Sequence, residues 1–477
     1  MVRRNYAYEL KSSATFPLAA ALAEGTFTGV VASKYFDGGP LLIAVITAAP
    51  MFGNILALLW SELAESRRKV PFINLLQIGL VVSMAAVGLT VFLPIEGGVA
   101  GWTFAGLIIV ARVIASGIVT LRSAVWRLNY PRAIRGQVIG RINGLYNFVL
   151  AVVTLAAALA MDKRPASFAI IYPVVAVISL FGVLQYSRIR VRGETTLLKR
   201  ARLVPTAARP SMFLGSSGAL HLDYARVMRS RVAGSAVGRL GKRIRDAFRL
   251  LREDRIFRAY QWWQFVLGSS FMLMFPTLIH VISSEMTDPD TQYVLAIFVV
   301  NVIPLVTTTV LMQAWAPVFD RTDILTFRVL LGVTACLAHS LILLGAATDQ
   351  LWLVAIGMFA VGTSFGGGQL AWQLGQNSFA TKGNIGTYMG LHVMLTGLRG
   401  MFVPFTGVLI YRGLGWYDQR IGWSEDGGTP LGRWLFAVSV GLSLWALFGF
   451  FATRRRYRQA LNERDEEEPS TRVVRES

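Results

Sequence analysis

Long apolar stretches separated by short polar clusters dominate this chain. A helix needs about 20 mostly apolar residues to cross the hydrocarbon core of a bilayer. Stretches of that length lie at 13–36, 40–61, 71–94, 101–124, 142–161, 166–187, 259–284, 291–315, 326–347, 351–372, 386–411 and 431–452. The strict apolar–polar alternation of a β-barrel is absent. The pattern therefore predicts an all-α integral membrane protein with about twelve transmembrane helices.

The composition supports this prediction. Hydrophobic residues make up 54% of the 477 positions and charged residues 16%, whereas a soluble domain carries about 25% charged residues. The first apolar stretch follows a basic start, and more spans come after it, so we interpret it as an uncleaved first helix. The single cysteine, Cys336, excludes an intrachain disulfide.

Basic residues concentrate on one side of the predicted membrane. If the N-terminus is cytoplasmic, the cytoplasmic segments and Arg328 hold 38 of the 47 Lys and Arg residues, and the opposite side holds six. Basic residues prefer the cytoplasmic side of membrane proteins. We therefore expect a multi-pass protein of the inner (cytoplasmic) membrane with both termini in the cytoplasm.

A basic segment divides the spans into two groups of six. We expect a six-helix bundle at 1–187, a cytoplasmic linker at 188–258, a second bundle at 259–452 and a cytoplasmic tail at 453–477. The linker has eighteen Lys and Arg against five Asp and Glu. Its part from Leu240 to Phe257 has amphipathic helical spacing, which predicts binding to anionic lipids. Stacking aromatics are missing, so we expect no nucleic-acid partner.

Two cytoplasmic loops repeat an acidic–basic pattern at matching positions of the halves. Glu65, Arg67 and Arg68 follow the second span, and Asp320 and Arg321 follow the eighth. A carboxylate there can pair with an Arg or with a neighbouring helix N-terminus. We interpret these residues as gating-loop candidates, and a solvated turn is the alternative.

These features together resemble the major facilitator superfamily. The family's loop signature is roughly Gly-x-Leu-Ala-Asp-Arg-x-Gly-Arg-Lys, and here Ser61 stands for the first Gly and Glu65 for the Asp. Arg112, followed by Gly117, resembles the family's intramembrane Arg. The resemblance implies two six-helix bundles around a central cavity lined by spans 1, 4, 7 and 10, and transport by alternating access.

Charged residues inside the spans mark candidate substrate and proton-coupling positions, because each costs about 2.5–3.5 kcal/mol to insert. We expect Glu24 and Arg112 to approach each other, with Glu24 carrying a proton and Arg112 pairing with it or with an anionic group. A purely structural ion pair is the alternative. Asn54, Asn147 and Asn301 are expected to make helix–helix hydrogen bonds.

A second polar set lies in span 11. Tyr388, His392 and Arg399 are separated by four and seven residues, which puts them on one helical face. They are further candidates for substrate or proton binding. Interhelical hydrogen bonding is the alternative, since such residues often join membrane helices.

No nucleotide-binding loop, metal-ligand spacing or catalytic triad is found in the sequence. We therefore expect no enzymatic activity, cofactor or bound metal, and a monomer that takes a small-molecule substrate. The leading hypothesis is a secondary transporter, coupled to protons, for an anionic or zwitterionic solute. The alternatives are a facilitator or lipid flippase of the same fold, or a transporter-like sensor or assembly partner.

Overall fold

The helices follow the predicted spans closely. The computed structural model describes residues 2–65, 67–90, 98–195, 249–288, 292–379, 385–413 and 431–473, apart from some side chains within these ranges. Most of the predicted amphipathic linker helix, and the side chain of Glu65, lie outside the described residues. No strand occurs in the described ranges, and the all-α membrane fold is confirmed.

The described residues of the first half form eight α-helical segments. They are α1 (Val2–Thr15), α2 (Pro17–Ala21), α3 (Gly25–Tyr35), α4 (Pro40–Glu65), α5 (Lys69–Leu89), α6 (Gly98–Asn129), α7 (Arg132–Lys163) and α8 (Phe168–Tyr186). The structure differs from the prediction in the first span. In place of one continuous helix, α1, α2 and α3 form a path through the bundle that is interrupted twice.

The described residues of the second half form seven α-helical segments. They are α9 (Arg255–His280), α10 (Tyr293–Ile297), α11 (Ile303–Arg321), α12 (Ile324–Ala347), α13 (Leu351–Leu374), α14 (Ile385–Arg412) and α15 (Leu435–Val473). A π-helical stretch, Phe298–Val302, joins α10 to α11 without a break in the path.

Length and apolar composition identify the membrane spans. Ten described helical segments are long and apolar enough to cross a bilayer, and Pro40–Gly53 is a shorter apolar helix. Many of their large apolar side chains face outward, among them Phe148, Val177 and Phe448, which are 64%, 67% and 68% exposed. An outward apolar surface is the one that lipid covers.

The two ends of the helices can be distinguished by chain connections. We call the end that carries Val2, Tyr186 and Arg255 the linker end, and the end that carries Tyr35 and Tyr293 the distal end. Helices pack mainly on others of their own half, while α4 also packs on α9 and α14. Contacts of α4 with α9 and α14 therefore connect the two halves.

Candidate functional site

The second interruption of the first path positions Glu24. Glu24 has extended backbone angles (φ −68°, ψ 130°) and precedes the first residue of α3. A carboxylate at a helix N-terminus is favoured by the helix dipole. The carbonyl of Leu22, freed by the interruption, accepts a hydrogen bond from the Tyr172 hydroxyl at 2.9 Å. The break is therefore stabilised by the neighbouring helix α8.

Glu24 and Arg112 form the central ion pair. Arg112 Nη1 donates to Glu24 Oε2 at 3.2 Å. The Glu24 side chain is 34% exposed, and the Arg112 side chain is 19% exposed. Both groups are thus paired and partly exposed. A partly exposed pair can exchange its partners, whereas a sealed pair would have a purely structural role.

A polar ladder beside this pair crosses between the two halves. Thr26 Oγ1 donates to Asn301 Oδ1 at 2.6 Å, and Asn301 Nδ2 donates to Thr154 Oγ1 at 3.1 Å. Asn147 Nδ2 donates to Thr309 Oγ1 at 3.2 Å. The predicted helix–helix hydrogen bonds of Asn147 and Asn301 are confirmed, and the side chain of Asn54 lies outside the described residues. They connect α3, α7 and the second half at mid-depth.

Contacts between the halves continue to the distal end. The hydroxyls of Ser33 and Ser284 lie 2.7 Å apart, and the Lys34 ammonium donates to the carbonyl of Asp288. The Val294 amide donates to Asp162 Oδ1 at 3.2 Å. In this conformation the two halves are joined at the distal end.

The three candidates of span 11 all face α9. Tyr388 donates from its hydroxyl to Asp254 Oδ2 at 2.8 Å. His392 lies 3.1 Å from both Gln261 Oε1 and Gln264 Nε2. They share one helical face, and the structure places their contacts between two helices.

Arg399 donates from Nη1 to the carbonyl of Gln264 at 2.9 Å. A Cβ added at Gly268 would lie 1.8 Å from that Nη1 atom. The guanidinium therefore occupies space on α9 that only a glycine leaves open.

Arg328 belongs to the same cluster and was missed as a candidate. Its Nη2 donates to Gln264 Oε1 at 2.6 Å and to the Tyr260 hydroxyl at 3.0 Å. Arg328 and Arg399 are 4% and 7% exposed, and no described carboxylate pairs with either of them. Both guanidinium groups donate hydrogen bonds to uncharged oxygens instead. An arginine just inside the first turn of an apolar span was the available signal.

A buried pair at the linker end was also missed. Glu9 is fully buried and accepts from Trp126 Nε1 at 2.6 Å, with Arg122 Nη2 at 3.8 Å. It precedes the first predicted span. Burial raises the pKa of Glu9, although Arg122 and Trp126 oppose the increase. The cluster connects α1 to α6.

The gating-loop candidates make few contacts. Arg67 and Arg68 are exposed, with the Arg67 guanidinium 5.1 Å from the centre of the Phe72 ring. Asp320 and Arg321 are exposed too, and among described residues they form no ion pair.

Different carboxylates contact the helix N-termini in these loops. Glu194 Oε1 accepts from the Lys69 amide at 2.7 Å, and Asp323 Oδ1 accepts from the Thr326 amide at 2.8 Å. Each caps the third span of its half, α5 or α12. In the second half, the capping carboxylate lies three residues after the gating-loop candidate Asp320.

Comparison with known proteins gives a consistent family assignment. A model of the Major Facilitator Superfamily matches residues 14–404. Comparison of the sequence with curated proteins finds no match.

Several solved structures share the fold. A mutant of the nucleoside transporter NupG is 12% identical with a TM-score of 0.63, covering 94% of this chain and 99% of that one. A D-xylose–proton symporter is 12% identical with a TM-score of 0.60, covering 94% and 96%. The inward-open xylose transporter XylE from E. coli is 11% identical with a TM-score of 0.56, covering 94% and 95%.

Proposed function

The chain belongs to the Major Facilitator Superfamily, and from that premise we propose that it is a proton-coupled secondary transporter for a small anionic or zwitterionic solute. The observation that carries the proposal is the partly exposed Glu24–Arg112 ion pair at the break in the first path. Broken helices near mid-depth are the usual place of substrate and ion sites in secondary transporters.

Competition for Arg112 couples the proton to the solute. While Glu24 is ionised, its carboxylate occupies Arg112, and an anionic group of the solute has to displace it. Protonation of Glu24 neutralises that carboxylate and releases the guanidinium for the solute. Proton and anion therefore bind together, and each favours the binding of the other. This reciprocity is the thermodynamic requirement for symport.

The contacts between the halves support alternating access. The contacts of Ser33, Lys34 and Asp162 join the halves at the distal end, which the distribution of basic residues assigns to the outside. With this orientation, which is part of the proposal, the described conformation is the one closed to the outside. Opening the outer side requires these hydrogen bonds to break, and similar contacts at the linker end to replace them.

The similar structures support the reaction class. Their names describe a nucleoside transporter and a D-xylose–proton symporter, both of which move small polar solutes. The buried Arg328 and Arg399 instead support the packing of α12 and α14 on α9, because their donors are directed at groups of α9.

Proton entry into vesicles tests the proposal without a labelled substrate. Purified protein in liposomes that contain pyranine is given carboxylates, amino acids, organic phosphates, sugars or nucleosides outside, and internal acidification is recorded. We expect one anionic or zwitterionic class to drive proton entry, and Arg112→Met to abolish the signal.

Glu24→Gln separates coupling from transport. We expect it to remove proton entry while solute counterflow continues. The matched control is Glu285→Gln, because Glu285 is similarly exposed, at 29%, and pairs with Arg433 at the distal end. Counterflow without proton entry in the wild-type protein would show a facilitator, and proton entry unchanged by Glu24→Gln would refute the role of Glu24.

A further inference from the structure

A basic pocket at the linker end lies outside the proposed transport site. It has a volume of about 820 Å³ and lies where the start of α9 meets the end of the membrane span of α15. Its lining consists of four arginines, two tryptophans and an alanine: Arg252, Arg255, Arg258, Arg456, Trp262, Trp263 and Ala259. Pockets of roughly 300–1,000 Å³ hold organic ligands. The composition of this one is basic and aromatic.

The positive charge of the pocket is not neutralised by the neighbouring carboxylates. Glu253 pairs with Arg249 at 3.0 Å. Asp254 accepts from the Phe257 amide at 2.9 Å and from the Tyr388 hydroxyl. Within the described ranges, no carboxylate forms an ion pair with any of the four pocket arginines.

One of these arginines is held in place by the backbone. Arg258 Nη1 donates to the carbonyl of Leu251 at 3.3 Å, which holds its guanidinium on the turn before α9. Guanidinium groups bind phosphate oxygens with two parallel hydrogen bonds. An exposed group of arginines that forms no ion pair with a described carboxylate therefore suits a phosphate-bearing ligand.

Aromatic side chains continue from the pocket towards the membrane. Trp262 and Trp445 have ring centres 6.3 Å apart, and both side chains are about half exposed, at 51% and 50%. Phe448 and Phe451 follow on the same helix and are 68% and 44% exposed. Tryptophans at this level are typical of the membrane interface. The surface thus has a cationic zone at the end of the helices and an apolar zone beside the lipid.

We propose that this pocket binds the headgroup of an anionic phospholipid, with the acyl chains lying along the exposed aromatics of α9 and α15. A soluble phosphate would use the arginines and leave the apolar zone without a role, whereas a phospholipid matches both zones. Basic pockets between membrane helices on the cytoplasmic side commonly hold such headgroups. Four arginines favour a headgroup with two phosphates, as in cardiolipin, over one with a single phosphate.

Lipid binding to the full chain tests this assignment. Native mass spectrometry of the detergent-purified protein measures the affinity for cardiolipin, phosphatidylglycerol and phosphatidylcholine, and glycerol phosphate is added as a soluble competitor. We expect affinity to fall in that order of lipids and glycerol phosphate to compete poorly. The double variant Arg255→Gln/Arg456→Gln should lose about 25-fold in cardiolipin affinity, at about fivefold per arginine.

The control removes the same charge elsewhere. Arg188 and Arg190 are exposed at the linker end and lie outside the pocket, so Arg188→Gln/Arg190→Gln should change cardiolipin affinity less than twofold. Thermal unfolding checks that both variants are folded. Equal losses in the two double variants, equal binding of the three lipids, or full competition by glycerol phosphate would overturn the proposal.

Discussion

Gly268→Ala tests whether the Arg399 guanidinium occupies the surface of α9. The added Cβ would lie 1.8 Å from Nη1 and 2.1 Å from Cζ of Arg399. Ordinary contact between such atoms needs about 3.5–4.0 Å, so the guanidinium has to move by about 2 Å. That movement breaks the 2.9 Å hydrogen bond to the carbonyl of Gln264.

The cost follows from what the displaced group loses. A hydrogen bond to a charged group contributes about 1.5–3 kcal/mol, and a buried donor without a partner adds a desolvation cost. We expect Gly268→Ala to lower the free energy of unfolding by about 2–4 kcal/mol. In an Arg399→Met background the clash is relieved, and the same change should cost less than about 1 kcal/mol.

SDS-induced unfolding in mixed micelles, followed by circular dichroism, measures the free energy of unfolding of the wild type, the two single variants and the double variant. Gly106→Ala is the control, because a Cβ at Gly106 meets nothing within 4 Å on its exposed helix face. It should leave stability unchanged or slightly increased. Equal costs of Gly268→Ala in both backgrounds would refute the reasoning, as would a cost no larger than that of Gly106→Ala.

Three further predictions use the same unfolding assay. Tyr172→Phe removes the hydroxyl that satisfies the broken first path and should cost about 1–2 kcal/mol, whereas Tyr186→Phe, whose hydroxyl has no described hydrogen-bond partner, should be neutral. Asp323→Ala removes a helix cap and should lower the free energy of unfolding by about 1 kcal/mol. Asp320→Ala, at the exposed neighbouring acid, should leave it unchanged. A larger loss for Asp320→Ala than for Asp323→Ala would contradict the capping assignment. The pKa of Glu9 is higher in the folded protein, so the folded state binds more protons than the unfolded state. The free energy of unfolding should therefore fall as pH rises above the ordinary glutamate pKa of about 4.3. The same dependence of the free energy of unfolding on pH in Glu9→Gln would contradict this.

The membrane spans were predictable because apolar length is a local property of the sequence. The break before Glu24 was not, since the alanines of α2 continue the apolar pattern without any interruption. The hydroxyl that stabilises the break comes from Tyr172, 150 positions further along the chain. Contacts of that separation leave no local signal in one sequence.

For the candidate side chains too, the features set by neighbouring residues were predictable and the contacts with distant helices were not. Helical spacing correctly placed Tyr388, His392 and Arg399 on one face, but did not show that α9 covers that face. Glu9 was missed because it lies before the first apolar stretch, where an acidic residue is ordinary. Its burial depends on Trp126 and Arg122 of a distant helix.

The central claim is that a proton on Glu24 accompanies the anion that Arg112 binds. Calorimetry of solute binding in two buffers of different ionisation enthalpy measures this proton uptake directly, with the solute class that drives proton entry into vesicles. We predict that solute binding takes up protons in the wild-type protein and takes up none in Glu24→Gln, which should still bind the solute. Binding without proton uptake in the wild-type protein, or equal uptake in Glu24→Gln, would contradict the account.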